Sequence, residues 1–226
     1  IYDQFGVQGF LSGNTGTQTG GWFRDELKSL DDVKGVRFRT PGLGGRVWEK
    51  LGATVTNMAA GEIFQALQSG TLDAAEFVGP YNDLALGFHQ VAKNYYMPSF
   101  VESGLATELV VDKKKYQELP EDLQAIIRDV SQAEYDQVAA DFYANDPRAL
   151  KTLVEEHGVT VRNFPDDIME AGAKASVEVL EELRSSDGPL VKKTAESFVE
   201  ALNLVRTRTE KIDSPYVQAR QSFLKY

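Results

Sequence analysis

The sequence predicts an α/β fold built on mixed sheets in which parallel strands predominate. The first reason is the stretch 36–82, where apolar runs and polar breaks alternate in the order strand, helix, strand, helix, strand. This alternation is typical of parallel strands joined by right-handed helical crossovers. The second reason is the segment from Pro120 onwards, where the spacing of apolar residues becomes helical and stays mainly helical.

Local composition assigns the elements of the first half. Apolar runs indicate strands, while apolar residues at helical spacing indicate helices. Pro41 ends one strand, Gly70 follows the end of one helix, and Pro80 suits the first turn of another. The predicted order is strand 7–11, polar loop 12–21, helix 22–29, strand 36–40, helix 44–51, strand 54–57, helix 62–68, strand 72–78 and a helix from 80 to about 93.

The second half is predicted to be largely helical. Pro147 should kink or break the long helix that begins after Pro120, because proline lacks an N–H and clashes with the preceding turn. Helices of this total length need a further surface to pack against, provided either by a second lobe or by a partner subunit. The predicted order is strand 105–112, a helical segment from 120 to 158, strand 160–163, helix 165–185, a helix from 188 to about 208 and a short helix within 214–226.

Composition excludes several classes of function. The chain has 226 residues, 42% of them hydrophobic and 26% charged, with a net charge of −10. Because no basic cluster offsets that charge, nucleic acid and anionic membrane surfaces are excluded as partners. The absence of cysteine excludes disulfides and thiolate chemistry, and it fits an exported bacterial protein. Since Ile1 leads directly into an apolar strand, we expect further chain before it.

Charged side chains fall at the ends of two predicted strands. Arg39 ends the first strand of the 36–82 stretch and Glu76 ends the last, and ligands of open α/β sheets lie beyond such ends. The planar guanidinium of Arg39 matches a carboxylate, although a surface arginine on a sheet edge explains the same pattern. Glu76, Glu102 and Gln18 offer hard oxygen donors suited to Na⁺, Ca²⁺ or Mg²⁺, but each also fits an ordinary solvated side chain.

Other motifs carry less chemistry. The GLGG run at 42–45 lacks the ending of a P-loop and the spacing of a dinucleotide site, so it is interpreted as a turn. His89 and His157 have no second histidine nearby in the sequence, which argues against a transition-metal site or a His-based triad. The aromatic residues around the 36–82 stretch are assigned to the core.

Three ordered runs resemble one known family: GNTGTQTGGWFR, LDDVKGVRFRTPGLGGRVWEKLGAT and GEIFQALQSGTLDAAEFVGPYND. They are similar to the solute-binding subunits of TRAP transporters, the DctP-type family, and most of all to the branch that binds 2-oxo or 2-hydroxy acids with a metal ion. The resemblance extends over essentially the whole chain. It implies a two-lobed periplasmic-binding-protein fold, with a long kinked helix spanning the lobes and a helical C-terminus, of which this chain would be the later part.

The resemblance also implies roles for individual residues. The family arginine that pairs with the ligand carboxylate corresponds to Arg39. The implied metal ion is Na⁺ or Ca²⁺, and its expected ligands are Gln18, Glu76, the carbonyl of Phe77 and Glu102. The expected ligand-binding residues are Arg39, Gln18, Glu76, Phe77 and Asn82. The branch often has Trp where this chain has Phe77. A backbone carbonyl does not depend on the side chain, so the metal ligand is kept, whereas loss of an indole N–H would alter ligand preference or pocket size.

The implied function is binding without turnover. The protein would be a periplasmic receptor that delivers a small carboxylate, such as pyruvate or lactate, to the membrane subunits of a TRAP transporter. The absence of a visible nucleophile–base pair favours this reading. The alternative is a hydrolase or lyase using Glu76 and Glu102 as an acid/base pair, which requires their environments to push their pKa values apart.

The resemblance further implies a division of the chain. Residues 17–104 and 145–200 would form the second α/β lobe, and residues 1–16 and 105–144 part of the first lobe. Residues 201–226 would form a C-terminal helical extension. Some members of the branch dimerise by exchanging a terminal helix, and the segment after Ala195 is long and partly amphipathic. We therefore expect a homodimer.

Overall fold

Strands form two separate sheets in the computed structural model, which describes residues 1–102 and 104–224. The strands are β1 Val7–Asn14, β2 Gly21–Phe23, β3 Arg37–Arg39, β4 Thr54–Thr56, β5 Ala74–Ala75, β6 Asn94–Tyr96, β7 Ala106–Asp112 and β8 Thr160–Arg162. The helices are α1 Gly42–Lys50, α2 Ala60–Gln68, α3 Pro80–Leu86, α4 Lys113–Gln117, α5 Glu121–Glu155, α6 Asp166–Arg184, α7 Pro189–Arg208 and α8 Ser214–Phe223. The predicted α/β class and the helical C-terminus are confirmed.

The larger sheet has six strands in the order β4-β3-β5-β2-β6-β8. Strand β3 pairs in parallel with β4 and β5, and β6 pairs in parallel with β8. Strand β2 is antiparallel to both of its neighbours, β5 and β6. Three of the five pairings are therefore parallel, which confirms the predicted parallel-rich mixed sheet.

Strand β2 replaces the predicted helix 22–29, which was wrong. Trp22 and Phe23 are both buried, on opposite faces of the sheet. Trp22 stacks on Tyr95 with ring centroids 4.0 Å apart, while Phe23 packs against Phe38 at 5.1 Å. Pairing on both edges and burial on both faces outweigh the helix-forming residues that follow.

Two predicted boundaries were also wrong. The helix predicted from 80 to about 93 ends at Leu86, because Gly87 adopts a left-handed conformation with φ of 76°. A 3₁₀ turn, Phe88–Gln90, and the unpredicted strand β6 take up the rest. Strand β5 covers only Ala74–Ala75 of the predicted 72–78.

The long helix α5 continues unbroken through Pro147. The predicted break of the helix at this proline was therefore wrong, while a kink stays a prediction.

Helix α5 provides a shared support for both sheets. It packs against β1 of the two-stranded sheet, in which β1 and β7 are antiparallel, and against α3 beside the larger sheet. Leu153 of α5 is fully buried in the core cluster that also contains Trp22 and Tyr95. Strands β1 and β7 lie within the ranges predicted for a first lobe and the other six within those predicted for a second; the lobe boundaries themselves stay a prediction.

The chain divides into two compact units, residues 1–176 and residues 177–226. The second unit is helical, and a π-helical segment, Thr209–Asp213, connects α7 to α8. Many of its large apolar side chains are exposed, among them Phe198, Leu204 and Phe223. Within residues 1–102 and 104–224, no helix combines the length and apolar character needed to cross a bilayer.

Candidate functional site

Arg39 lies at the end of β3, where its side chain is turned inward and is only 8% exposed. The guanidinium is held by two backbone carbonyls: Nε donates to Met58 O at 3.1 Å, and Nη1 donates to Glu76 O. It also lies over the ring of Phe77, 5.7 Å from the centroid. Because two carbonyls fix its plane, the guanidinium is preorganised to pair with an anion.

Glu76 follows β5 directly, and its carboxyl group is 2% exposed. Oε2 lies 3.9 Å from Arg39 Nη1 and 3.5 Å from Thr40 Oγ1, so only a weak contact holds it. Oε1 is buried without a hydrogen-bond partner in the described part of the chain. Burial, together with the nearby charge of Glu102, raises the pKa of Glu76 to about 8, despite the opposing effect of Arg39.

Glu102 and Gln18 lie on neighbouring loops. Gln18 O accepts from Ser99 N at 3.2 Å, and Ser99 Oγ accepts from Glu102 N at 3.0 Å. The Gln18 side chain is buried; its Nε2 donates to Thr15 Oγ1, and its Oε1 has no partner among residues 1–102 and 104–224. Burial raises the pKa of Glu102, and Arg39 opposes that rise.

The remaining two predicted residues differ in how they relate to this group. Phe77 is partly buried; its ring lies beneath the Arg39 guanidinium and meets the Phe88 ring edge to face. Asn82 lies in α3, and its buried Oδ1 has no hydrogen-bond partner in the described part of the chain. No hydrogen bond among the described residues links Asn82 to Arg39 or Glu76, so its role stays a prediction.

The oxygen atoms of this region fit a hard cation. The side chains of Gln18 and Glu76 each present a buried oxygen without a partner, which is costly unless a ligand supplies one. Within residues 1–102 and 104–224, no three His, Asp or Glu side chains are grouped as a metal site. The predicted donor set has only two carboxylates and is completed by an amide and a carbonyl, which is the type of donor that Na⁺ and Ca²⁺ accept.

Sequence reasoning missed a buried network beside this site. Asp83 is fully buried in α3, and its Oδ2 accepts from Trp22 Nε1 and Tyr95 OH, both at 2.8 Å. Burial raises the pKa of Asp83 to about 6, although these two donors oppose the rise. An aspartate in the first turns of a helix is normally interpreted as a solvated partner of the helix dipole, so no local signal marked it as buried.

The structure also brings the two histidines together, which their sequence positions did not indicate. The rings of His89 and His157 stack with centroids 4.1 Å apart and an interplanar angle of 27°. Burial and the neighbouring His157 lower the pKa of His89. Stacked rings direct their in-plane nitrogen lone pairs side by side rather than toward one ion. The pair therefore gives no support for a transition-metal site.

Comparison with known proteins places this site in context. Residues 3–187 match the DctP family, described as bacterial extracellular solute-binding protein, family 7. A monocarboxylate 2-oxoacid-binding periplasmic protein from Nostoc sp. (strain PCC 7120) is 38% identical over 187 residues, which are 83% of this chain and 51% of that protein. The chain thus spans about half the length of this curated relative.

Two solved structures are similar over nearly the whole chain. A TRAP periplasmic solute binding protein from Pseudoalteromonas atlantica T6c, with bound sodium and pyruvate, is 36% identical with a TM-score of 0.90. One from Colwellia psychrerythraea, with bound calcium and pyruvate, is 38% identical with a TM-score of 0.90. Each alignment covers 96% of this chain and 66% of the other chain.

Proposed function

Because the chain belongs to the DctP family of bacterial extracellular solute-binding proteins, we propose that it serves a TRAP transporter as the receptor for a small 2-oxo or 2-hydroxy carboxylate. The ligand would bind together with Na⁺ or Ca²⁺. The predicted family and the predicted extracytoplasmic location follow directly from this membership. The family consists of binding proteins, as predicted, and nothing favours the alternative of a hydrolase or lyase.

The observation that carries the proposal is the buried arginine beside two carboxyl groups. Arg39 is fixed by two carbonyls, and burial raises the pKa values of both Glu76 and Glu102. Once both are ionised, two carboxylates alone would repel an organic anion. A cation between them would reverse that repulsion and leave Arg39 to attract the ligand carboxylate.

The residues of the candidate site suggest separate roles in binding the ion and in binding the carboxylate. Gln18, Glu76, the Phe77 carbonyl and Glu102 would hold the ion, which supplies positive charge and a Lewis-acidic contact for the ligand oxygens. Arg39 would bind and orient the ligand carboxylate. The Phe77 ring covers one face of the guanidinium and limits its access to water. Since Glu76 is largely protonated near neutral pH without an ion, binding of the ion would release a proton.

The relatives narrow the class of ligand. The name of the Nostoc protein describes it as binding monocarboxylate 2-oxoacids, and the two solved structures contain pyruvate with sodium or with calcium. A 2-oxo or 2-hydroxy acid offers a carboxylate oxygen and an adjacent oxygen that together chelate a cation. We therefore propose pyruvate and lactate as the first ligands to test, with the TRAP membrane subunits as the acceptor of the bound ligand.

Isothermal titration tests the proposal. The protein, freed of divalent ions, is titrated with pyruvate, lactate and acetate in the presence and absence of Ca²⁺ or Na⁺. We expect pyruvate or lactate to bind only when an ion is present, and acetate, which lacks the second oxygen, to bind at least about tenfold more weakly. Binding of none of these acids under any ion condition would contradict the proposal.

A homodimer formed through the C-terminal helices is the second proposal about partners. Val191, Ala195, Phe198, Leu202 and Val205 of α7 follow one another at alternating spacings of four and three residues. This is the spacing of a helix–helix seam. All but Ala195 are exposed, so this seam is available to a second copy of the chain.

A further inference from the structure

A fully buried carboxyl group outside the proposed ligand set contacts three separate elements. Asp83 Oδ2 accepts hydrogen bonds from Trp22 of β2 and from Tyr95 of β6. Its Oδ1 faces the N–H of Val78, in the loop after β5, at 3.4 Å. Because every donor comes from a different element, the carboxyl group fixes their mutual positions.

These contacts close into a ring. Tyr95 OH, which donates to Asp83, accepts from Thr19 Oγ1 at 3.0 Å. The N–H of Thr19 donates to the carbonyl of Val78 at 3.2 Å, and the N–H of Val78 faces Asp83. Asp83, Tyr95, Thr19 and Val78 therefore form one closed circuit of hydrogen bonds, in which each member is buried.

Two members of the ring are the immediate chain neighbours of proposed cation ligands. Thr19 follows Gln18 in the sequence, and Val78 follows Phe77. The bond between Thr19 N and Val78 O therefore holds the backbone of the Gln18 loop against the backbone of the Glu76–Phe77 segment. Movement in any member of the ring would change the distance between the donors on these two segments.

We propose that Asp83 is a positioning residue for the cation site. Through Tyr95, Thr19 and Val78 it sets the separation between the Gln18 amide and the Glu76–Phe77 segment. This inference rests on the proposed function. A fixed separation of donors selects an ion by its size, since Mg²⁺ requires oxygens at about 2.0–2.1 Å and Ca²⁺ at about 2.3–2.6 Å.

Stability alone does not account for a carboxyl group at this position. Replacing a buried carboxylate and its donors with apolar groups of the same shape is often neutral or stabilising. An ionised carboxyl group is useful here because it carries only acceptor atoms and accepts several hydrogen bonds at once. Neutral polar side chains of the same size also carry donor hydrogens.

The test compares two adjacent tyrosines of β6. Tyr95→Phe removes the hydroxyl that joins Asp83 to Thr19 and keeps the ring that stacks on Trp22. Tyr96→Phe is the matched control, because the Tyr96 hydroxyl is also buried with two hydrogen bonds, both to the backbone of Leu27. Both variants lose one buried hydroxyl from the same strand, so we expect similar falls in their thermal unfolding midpoints without ions.

Ion selectivity separates positioning from stability. Ca²⁺ and Mg²⁺ are each titrated into both variants and into the unmodified protein. We expect Tyr95→Phe to bind Ca²⁺ about tenfold more weakly and to lose discrimination between the two ions, while Tyr96→Phe keeps both properties. Equal weakening for both ions in Tyr95→Phe, or the same selectivity change in Tyr96→Phe, would overturn the positioning role.

Thr19→Val keeps the test decisive if Tyr95→Phe does not fold. It removes only the hydrogen bond from Thr19 Oγ1 to Tyr95 OH, preserves the shape of the residue and leaves the donors to Asp83 in place. We expect the same loss of Ca²⁺ preference, and unchanged selectivity would overturn the inference. If the unmodified protein binds neither ion nor carboxylate, the proposed function itself fails. If it binds both, but the substitutions leave the preference for Ca²⁺ over Mg²⁺ unchanged, the proposed function stands and the positioning role fails.

Discussion

At the residue scale, the candidate site depends on a basic and an acidic side chain that lie close together without a hydrogen bond between their charged groups. The Glu76 carboxyl oxygen is 3.9 Å from the Arg39 guanidinium, which instead donates to the Glu76 carbonyl and to Met58. A direct salt bridge would neutralise both groups. Holding the guanidinium by neutral carbonyls keeps its charge available for a ligand and leaves the carboxyl group available for an ion.

Loss of the guanidinium should abolish most carboxylate binding. Arg39→Ala removes a charge-assisted pairing in a buried site, and we expect pyruvate or lactate affinity to fall by about 2–5 kcal/mol, at least about 30-fold. Arg37→Ala is the control, because Arg37 lies two residues away on β3 but is exposed and paired with Asp73. Titration calorimetry in the presence of Ca²⁺ compares them, and equal affinity in the two variants would remove Arg39 from the ligand.

Glu76 should make the ion-free protein less stable as the pH rises. Folding raises the pKa of Glu76 from 4.5 to about 8, so between these values the folded state holds a proton that the unfolded state lacks. Stability therefore decreases with increasing pH in this interval, by at most about 1.4 kcal/mol per pH unit. Between pH 6 and 8, we expect the unmodified protein to lose about 2 kcal/mol more than Glu76→Gln.

Urea denaturation in a buffer free of Na⁺ and of divalent ions measures this difference. Other titrating groups, such as Asp83 and His89, are present in both proteins and cancel in the comparison. Parallel stability profiles for the two proteins would show that Glu76 is already ionised when the protein is ion-free.

At the element scale, the short strand β2 organises the site. It lies between β5 and β6, and the loop before it carries Gln18, while the loop after β5 carries Glu76. Close approach of β2 to β5 requires glycine at position 21, where φ is 111° and an added Cβ would lie 2.8 Å from Ala75 O and 3.1 Å from Glu76 Cα.

A methyl group at this position should separate the two strands. We expect Gly21→Ala to destabilise the protein by about 3 kcal/mol, combining left-handed backbone strain with a backbone clash, and to weaken cation binding by displacing Glu76. Gly35→Ala is the control, since Gly35 also has a positive φ, of 77°, but has open space around it. It should lose about 1–2 kcal/mol and keep ion affinity. Equal losses, by urea denaturation, would contradict the close-packing argument.

The elements show what sequence alone can predict. Strands ending at Arg39 and before Glu76 were correctly expected, because their apolar residues stand between clear glycine and proline boundaries, although the second covers only Ala74–Ala75 of the predicted 72–78. Strand β2 was not, because two buried aromatics in a row have no diagnostic period and only pairing on both edges decides their conformation. The ring around Asp83 was missed for a related reason: it includes Thr19 and Tyr95, which are 76 residues apart in sequence and meet only in the fold.

At the scale of the whole molecule, the proposed dimer depends on the exposed seam on α7. The unit of residues 177–226 leaves Val191, Phe198, Leu202 and Val205 exposed at helix–helix spacing. With a net charge of −10, the chain resists nonspecific association, so a stable dimer requires a specific apolar contact. The seam would provide such a contact in the proposed dimer.

Charge placed in the seam should therefore dissociate the dimer. Leu202→Glu places a carboxylate in the apolar seam of each copy, so we expect light scattering to give a dimer for the unmodified protein and a monomer for this variant. Leu204→Glu is the control, because Leu204 is 70% exposed and lies off the seam, and it should remain dimeric. Ligand binding should persist in both, because the substitutions lie outside the residues that form the candidate site. A monomeric unmodified protein, or dissociation by Leu204→Glu alone, would show that the seam does not mediate association.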